Sequence, residues 1–410
     1  MNDPGEPSRS SRSWFAVGVF CGIAAVLFVV VWQTGVHLGL GPEAGTGAPP
    51  FAEVDDALEP WLQYDAGWYI GIAENGYFYI PGQQSSVAFF PAFPLAVRAV
   101  AGVVDSTPLA AIAATFACGL AAALLFWRWC ADRLTAGGTR TAVVLLLAYP
   151  YAWFLYGSGY GDALFLAATV GAFLLLERDH AVLAGLAGFV ATATRPNGVA
   201  VAVGLVAVAL DRRGVLTRKA GGDPSTARTA LARERGRWRF DRSRLRLSDS
   251  GVLLALGGVA SYCTYLWARF GDPIAFVTVQ SAPGWNQGGG PSTWFKRSFF
   301  ALVLRGDVDY GARLVAQALL TLAVVVAVPF VVRRFGWGYG LYVLVAIGIP
   351  TLGSSTFQGL GRYCLAAFPC FALAGEWLAG RARARAPVLV GSALALVALT
   401  SLYARGYYLS

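Results

Sequence analysis

The chain has 410 residues, of which 56% are hydrophobic and only 13% charged, and it carries a formal net charge of +9. So few charges cannot cover a soluble globule of this size, which excludes a soluble protein. The expected class is an all-α polytopic membrane protein, because the apolar runs are long enough to cross hydrocarbon as helices.

The positive charge is assigned to positive-inside loops and to contact with anionic membrane lipids, and not to nucleic acid. Arginine far outnumbers lysine, which occurs only as Lys219 and Lys296. With abundant Ala, Gly and Val, that bias is the composition of a GC-rich bacterial genome and points to a bacterial plasma membrane. The cysteines form no CxxC pair, and the two histidines, His37 and His180, are too few for a multi-His metal site.

Trp14 to Gln33 is the first span and reads as a retained signal anchor running outward. No Lys or Arg occurs from Ser13 to Val97, whereas Glu43, Glu53, Asp55, Asp56, Glu59, Asp65 and Glu74 do. A loop without basic residues beside a span faces away from the cytoplasm. Residues 34–106 are therefore expected to form a long first extracytoplasmic loop. Its Gly/Pro-rich start is irregular, and Pro60 then opens an amphipathic segment from Trp61 to Tyr77. A helix there would put Asp65, Tyr69, Ile72 and Gly76 on one face and Glu74 on the other. Ala88 to Val104, broken by Pro91 and Pro94, is expected at the outer interface without crossing.

Leu109 to Trp127 goes in, Thr141 to Gly157 goes out and Ala163 to Leu176 goes in. Ala181 to Thr194 and Val199 to Leu210 are joined by Arg195-Pro196-Asn197-Gly198. Each of those arms is only about 20 Å long, short of a core of roughly 30 Å. The turn with Arg195 is thus expected below the outer surface in a wet cavity. Residues 211–248 read as a basic cytoplasmic loop and 271–311 as a second extracytoplasmic loop, after the span Gly251 to Phe270. Ala312 to Val332, Leu341 to Gly353, Cys364 to Ala379 and Pro387 to Tyr403 complete about eleven crossings in a single domain, 1–410.

Five polar clusters converge on the outer side: Asp65 with Glu74, Tyr160 with Asp162, Arg195 with Asn197, Gln280 through Trp285 and Asn286, and Gln358 with Arg362 and Tyr363. Charges at membrane depth are expensive and mark function. An outer site must use a sugar donor already carried across the membrane, most simply on a polyprenyl phosphate. Transfer then needs a carboxylate to deprotonate an acceptor hydroxyl and cations to stabilise the leaving phosphate. Asp65 suits the first role; Arg195 and Arg362 suit the second. No cofactor is required, and a divalent cation is left open.

The stretch YDAGWYIGIAENGYFY…AFFPAFPL resembles the first luminal loop of the PIG-V family, the GPI mannosyltransferase 2 group of GT-C glycosyltransferases. Asp65-Ala66, Ile72-Ala73-Glu74, Gly76-Tyr77, Phe89-Phe90-Pro91 and Phe93-Pro94 match its motif. Tyr64 stands where tryptophan is usual. Tyr160-Gly161-Asp162, Arg195-Pro196-Asn197-Gly198, Gln280 with Trp285-Asn286 and Gly288, and Arg362-Tyr363 are similar to later family motifs. The resemblance implies a GT-C fold and transfer of mannose from polyprenyl-phosphate mannose with inversion, Asp65 acting as base. Glu74, Tyr160, Asp162, Arg195, Asn197, Gln280, Trp285, Asn286, Arg362 and Tyr363 would bind substrate. The acceptor, a glycolipid, glycan or protein, stays open. The alternative is a lipid or glycolipid transporter or flippase without transferase activity.

The placement of the acidic loop is checked directly. Single cysteines introduced between Tyr64 and Tyr77 are expected to react with a membrane-impermeant maleimide from the non-cytosolic side. Labelling from the cytosolic side only would reverse the topology.

Overall fold

The computed structural model of the protein describes residues 9–39, 41, 54, 57–218, 238–285, 287, 289–304 and 308–409. Glu43, Glu53, Asp55 and Asp56, the middle of the basic stretch, Asn286 and Gly288 lie outside them. Helix α1 (Arg9–His37) is the first span. The loop expected outside follows, with a 3-10 turn at Glu59–Trp61, α2 (Asp65–Asn75) and α3 (Ala92–Val104). Next come α4 (Thr107–Ala131), α5 (Ala136–Leu147), α6 (Asp162–Glu177), α7 (Ala181–Thr192) and α8 (Val199–Arg212). A small antiparallel hairpin, β1 (Leu216–Arg218) with β2 (Trp238–Phe240), closes the basic stretch with Leu216 opposite Phe240. A 3-10 run, Leu247–Leu256, continues into α9 (Gly257–Phe270). The second outer loop holds α10 (Ala275–Thr278), α11 (Pro291–Trp294) and α12 (Arg297–Leu304). The chain ends with α13 (Val308–Phe335), α14 (Trp337–Gly353), α15 (Leu360–Tyr363), α16 (Phe368–Ala379) and α17 (Ala382–Ala404).

Five helical stretches are long and apolar enough to cross a membrane: Ser13–His37, Thr107–Ala131, Leu247–Phe270, Val308–Phe335 and Ala382–Ala404. In the last two only 17% of the most apolar window is buried against protein. The exposed remainder, including Leu322, Phe330 and Leu394, forms an apolar surface that water would not tolerate on this scale but hydrocarbon does. The protein is an all-helical integral membrane protein apart from the hairpin.

Charged residues separate to the two ends of the bundle, and α6 shows this within one element. Asp162 is its first residue and Glu177 its last. At the Glu177 end, Trp129 Nε1 donates to the Tyr339 hydroxyl (2.9 Å), which donates to Glu177 Oε1 (2.6 Å). Arg133 pairs with Glu177, and Arg334 Nη2 donates to the Arg133 carbonyl at 2.7 Å. The basic ends of α4, α8 and α13 thus meet on one side, where the sequence places the cytoplasm.

Two sequence expectations shift. The segment from Trp61 to Tyr77 is not one helix: Tyr64 has φ of +54°, which interrupts it, and α2 begins at Asp65. The span expected to run to Gly157 ends as an α-helix at Leu147, because Pro150 disfavours helical backbone at Tyr149. A 3-10 turn at Ala152–Leu155 completes it.

Small residues let the short helices approach closely where no solvent-driven force presses them together. A Cβ at Gly185 of α7 would stand 2.0 Å from the Gly251 carbonyl oxygen, whereas a Cβ at Gly348 of α14 would meet nothing within 4 Å. Gly185→Leu is expected to lower stability by about 1–3 kcal/mol or more from overpacking. Gly348→Leu should shift the thermal midpoint in detergent little.

Candidate active site

Asp65 owes its position to a strained junction. Left-handed backbone at Tyr64, rare for an aromatic residue, turns the chain so that Asp65 opens α2. Tyr64 is held by its hydroxyl, which donates to the Gly406 carbonyl, and by its ring, 4.7 Å from that of Tyr408. The Asp65 amide donates to the Tyr160 hydroxyl (3.0 Å), which in turn donates to the Gln63 carbonyl (3.1 Å).

Arg362 faces it. The Arg362 Nη2 to Asp65 Oδ2 distance is 3.1 Å. Arg362 lies in α15, a single turn that the chain can form only because position 361 is glycine. A Cβ there would stand 2.6 Å from the Tyr151 ring. The Gly361 amide is fixed by Gln317 Oε1 (3.1 Å) and its carbonyl by the Tyr149 hydroxyl (3.0 Å).

A second pair lies alongside. Arg195 Nη2 is 2.7 Å from Asp162 Oδ2, in the extended link between α7 and α8. The Tyr363 ring centroid is 5.5 Å from the Arg195 guanidinium carbon and 5.3 Å from that of Arg362, so one ring bridges both pairs. Arg195 also stacks on Phe165 (5.0 Å), and Arg362 on Tyr160 (5.2 Å) and Phe154 (5.7 Å). The Tyr69 hydroxyl stands in the field of all four charges. Burial pushes its phenol well above the ordinary range despite the pull of Arg195 and Arg362, so it remains a proton donor.

The two pairs differ in openness. Side chains of Asp65 and Arg362 are 19% and 14% exposed, those of Asp162 and Arg195 only 3% and 8%. The first pair is within reach of a ligand; the second reads as its fixed support. Arg195 Nε, Arg362 Nε and Asn197 Nδ2 are buried donors with no hydrogen-bond partner among the described residues. Buried donors of this kind are expensive and suit an anionic ligand. Among the described residues there is no group of three or more His, Cys, Asp or Glu side chains that could hold a metal. Asp65 and Asp162 already engage guanidinium groups.

The structure thus brings together Asp65, Tyr160, Asp162, Arg195, Arg362 and Tyr363; Asn197 is buried two residues along from Arg195. It does not bring in Glu74, which is exposed near the far end of α2. Nine residues at about 100° each carry it to the opposite side of the helix from Asp65. Gln280 is half-buried in a short 3-10 turn, and its carbonyl accepts from the Gln287 amide (2.8 Å). Trp285 packs on Trp68 (5.6 Å) and Phe89 (5.9 Å), above α2 and one turn along from Asp65. Asn286 is outside the described residues. The sequence put Tyr69 on the Asp65 face without a role, and gave none to the end of α17 or to the residues beyond it. Tyr403, in the last turn of α17, donates to the Trp61 carbonyl (3.2 Å), and Tyr408, beyond that helix, lies in the field of Asp65 and Arg362. Nothing in the local pattern of that segment signals a site more than 300 residues upstream.

No protein-family model and no curated protein matches the chain. Among solved structures it is similar to the Archaeoglobus fulgidus oligosaccharyltransferase in complex with Zn and sulfate, at 13% identity and a TM-score of 0.44, over 94% of this chain and 53% of that one. The apo form gives 12% identity, a TM-score of 0.45 and coverage of 97% and 57%. The archaeal oligosaccharyltransferase AglB from the same organism, with an inhibitory peptide and a dolichol-phosphate, gives 11%, 0.42, and 96% and 56%. The chain therefore spans little more than half the length of these structures.

The closed pair is tested by charge removal. Arg195→Gln leaves the Asp162 carboxylate buried and unpaired, at an expected cost of about 3–5 kcal/mol. Arg195→Gln combined with Asp162→Asn should recover much of it in thermal unfolding. A double-variant loss equal to the sum of the Arg195→Gln and Asp162→Asn losses would show that the pair is not coupled.

Proposed function

We propose that the protein is a membrane glycosyltransferase of the GT-C type that transfers mannose, with inversion, from a polyprenyl-phosphate mannose to a hydroxyl of an extracytoplasmic glycolipid, glycan or protein. The observation that carries this reading is the open Asp65–Arg362 pair at 3.1 Å, with orphaned buried donors beside it. Base and phosphate ligand stand next to each other, as a lipid-phosphate sugar donor requires.

In the proposed reaction the acceptor oxygen attacks the anomeric carbon as the bond to the donor phosphate oxygen breaks. Asp65 takes the acceptor proton. Arg362, with Arg195 and Asn197, receives the charge that develops on the departing polyprenyl phosphate. Before substrate arrives, the ion pair with Arg362 holds the Asp65 carboxylate in place. An isoprenoid tail needs an apolar slot near the site. A groove of ≈ 320 Å³ between α2, α3 and α9, lined by Ile72, Pro91, Pro94, Leu95 and Tyr262, offers one. Ile72 lies about 10 Å along α2 from Asp65. The resemblance of the first outer loop to the PIG-V family favours mannose over other sugars.

Purified protein incubated with polyprenyl-phosphate mannose is expected to release polyprenyl phosphate by transfer or slow hydrolysis. Asp65→Asn should bind the donor and turn it over about 10²–10⁴-fold more slowly. Full turnover by that variant removes Asp65 as the base. Donor translocation across vesicles without cleavage would favour a flippase.

A further inference from the structure

Four non-glycine residues among those described have left-handed φ: Tyr64, Asp105, Asp179 and Lys296. Aspartate tolerates this backbone; tyrosine and lysine do so only where the surroundings enforce it. Tyr64 adjoins Asp65. Lys296 lies in the second outer loop, at the corner between α11 and α12, with φ of +54°.

A lysine on an outer loop is ordinarily solvated. Lys296 is only 6% exposed, and burial lowers its amine to about 8. Its Nζ donates to the Thr351 carbonyl, to the Ser354 carbonyl (2.5 Å) and, more weakly, to Ser354 Oγ (3.5 Å), and it stands 5.3 Å from the Phe357 ring centroid. Thr351 is in the last turn of α14 and Ser354 is the residue that caps it, where carbonyls lack helical partners and favour a cation. Polar contacts then run towards the site. Ser354 Oγ donates to the Thr356 carbonyl (2.6 Å), and the Gln358 amide donates to Thr356 Oγ1 (3.2 Å). Gln358 Oε1 accepts from the Tyr310 hydroxyl. Two residues after Gln358, α15 begins and presents Arg362.

The same loop is fastened at further points. Gln287 Oε1 accepts from the Ser355 amide (3.1 Å), and Gln84 Nε2 donates to the Pro283 carbonyl (3.3 Å). Trp285 packs against Trp68 on α2. One stretch of the second outer loop therefore touches both the helix that begins with Asp65 and the turn that leads to Arg362.

We propose that Lys296 is a positioning residue: its ammonium fastens the second outer loop to the Thr351–Gln358 turn, and that turn sets where the Arg362 guanidinium stands opposite Asp65. The proposal rests on the reading of Arg362 as the phosphate ligand, and its test separates the two.

Hydrogen exchange of the ligand-free full chain in detergent reports the turn, and farnesyl phosphate binding reports Arg362. Lys296→Met should speed exchange over residues 354–363 and leave residues 65–75 unchanged. It should weaken farnesyl phosphate binding by about tenfold in the otherwise native chain, as expected within one coupled network. In an Arg362→Gln background the same change should cost nothing further. Unaltered exchange over 354–363, or a full additional loss in the Arg362→Gln background, would overturn the assignment. If Arg362→Gln alone binds farnesyl phosphate as tightly as the native chain, the phosphate reading falls. The Lys296 assignment is then decided by exchange of the 361–363 amides. Should Lys296→Met fail to give monodisperse protein, Lys296→Gln, which keeps a donor without the charge, is read in the same way.

Discussion

A carboxylate or guanidinium withdrawn from water among apolar helices costs several kcal/mol unless a counter-charge meets it in good geometry. The end of the bundle that holds Asp65 is built around that constraint. Asp65 with Arg362 and Asp162 with Arg195 form two pairs, bridged by the Tyr363 ring. Each member comes from a different segment: the start of α2, the start of α6, the break between α7 and α8, and α15. Satisfying four charges thereby fixes four parts of the chain relative to one another. Electrostatic necessity and the assembly of the site are the same requirement.

The unequal burial of the pairs gives that end a division of labour. Asp162 and Arg195 are sealed, with Phe165 beneath the guanidinium. Asp65 and Arg362 keep some access. A sealed pair resists displacement because separation would leave two charges in low dielectric, whereas an open pair can exchange one partner for a ligand of like charge. Orphaned donors on Arg195, Asn197 and Arg362 leave capacity for further acceptor oxygens.

Backbone strain is concentrated around the same region. Tyr64 tolerates left-handed geometry because Gly406, Tyr408 and the packing of α2 hold it, and Lys296 because the end of α14 receives its amine. Tyr64 sets the start of α2 at the site, and Lys296 sends its amine to the end of α14. At Gly361, beside Arg362, glycine avoids a clash with the Tyr151 ring.

Much of this was legible in the residues. Apolar runs dictated the spans because hydrocarbon demands self-satisfied backbone. Pro196 and Gly198 marked a break with Arg195 beside it, and the absence of basic residues before Arg98 marked an outer loop with Asp65 on it. Asp65, Asp162, Arg195 and Arg362 could be singled out one by one, since a charge near membrane depth is costly wherever it occurs. Which charge meets which was not legible, because pairing depends on how helices hundreds of residues apart pack. Glu74 was set apart from Asp65 already by its nine-residue spacing on a helix, and it stands exposed in α2. Lys296 and the segment beyond α17 gave no sequence signal, because each is held through backbone carbonyls, which every residue carries. Sequence alone determined the solvent and the inventory of charges, both of which follow from local composition. Tertiary structure decided the partnerships, because Coulombic and hydrogen-bond energies depend on distances that only packing sets.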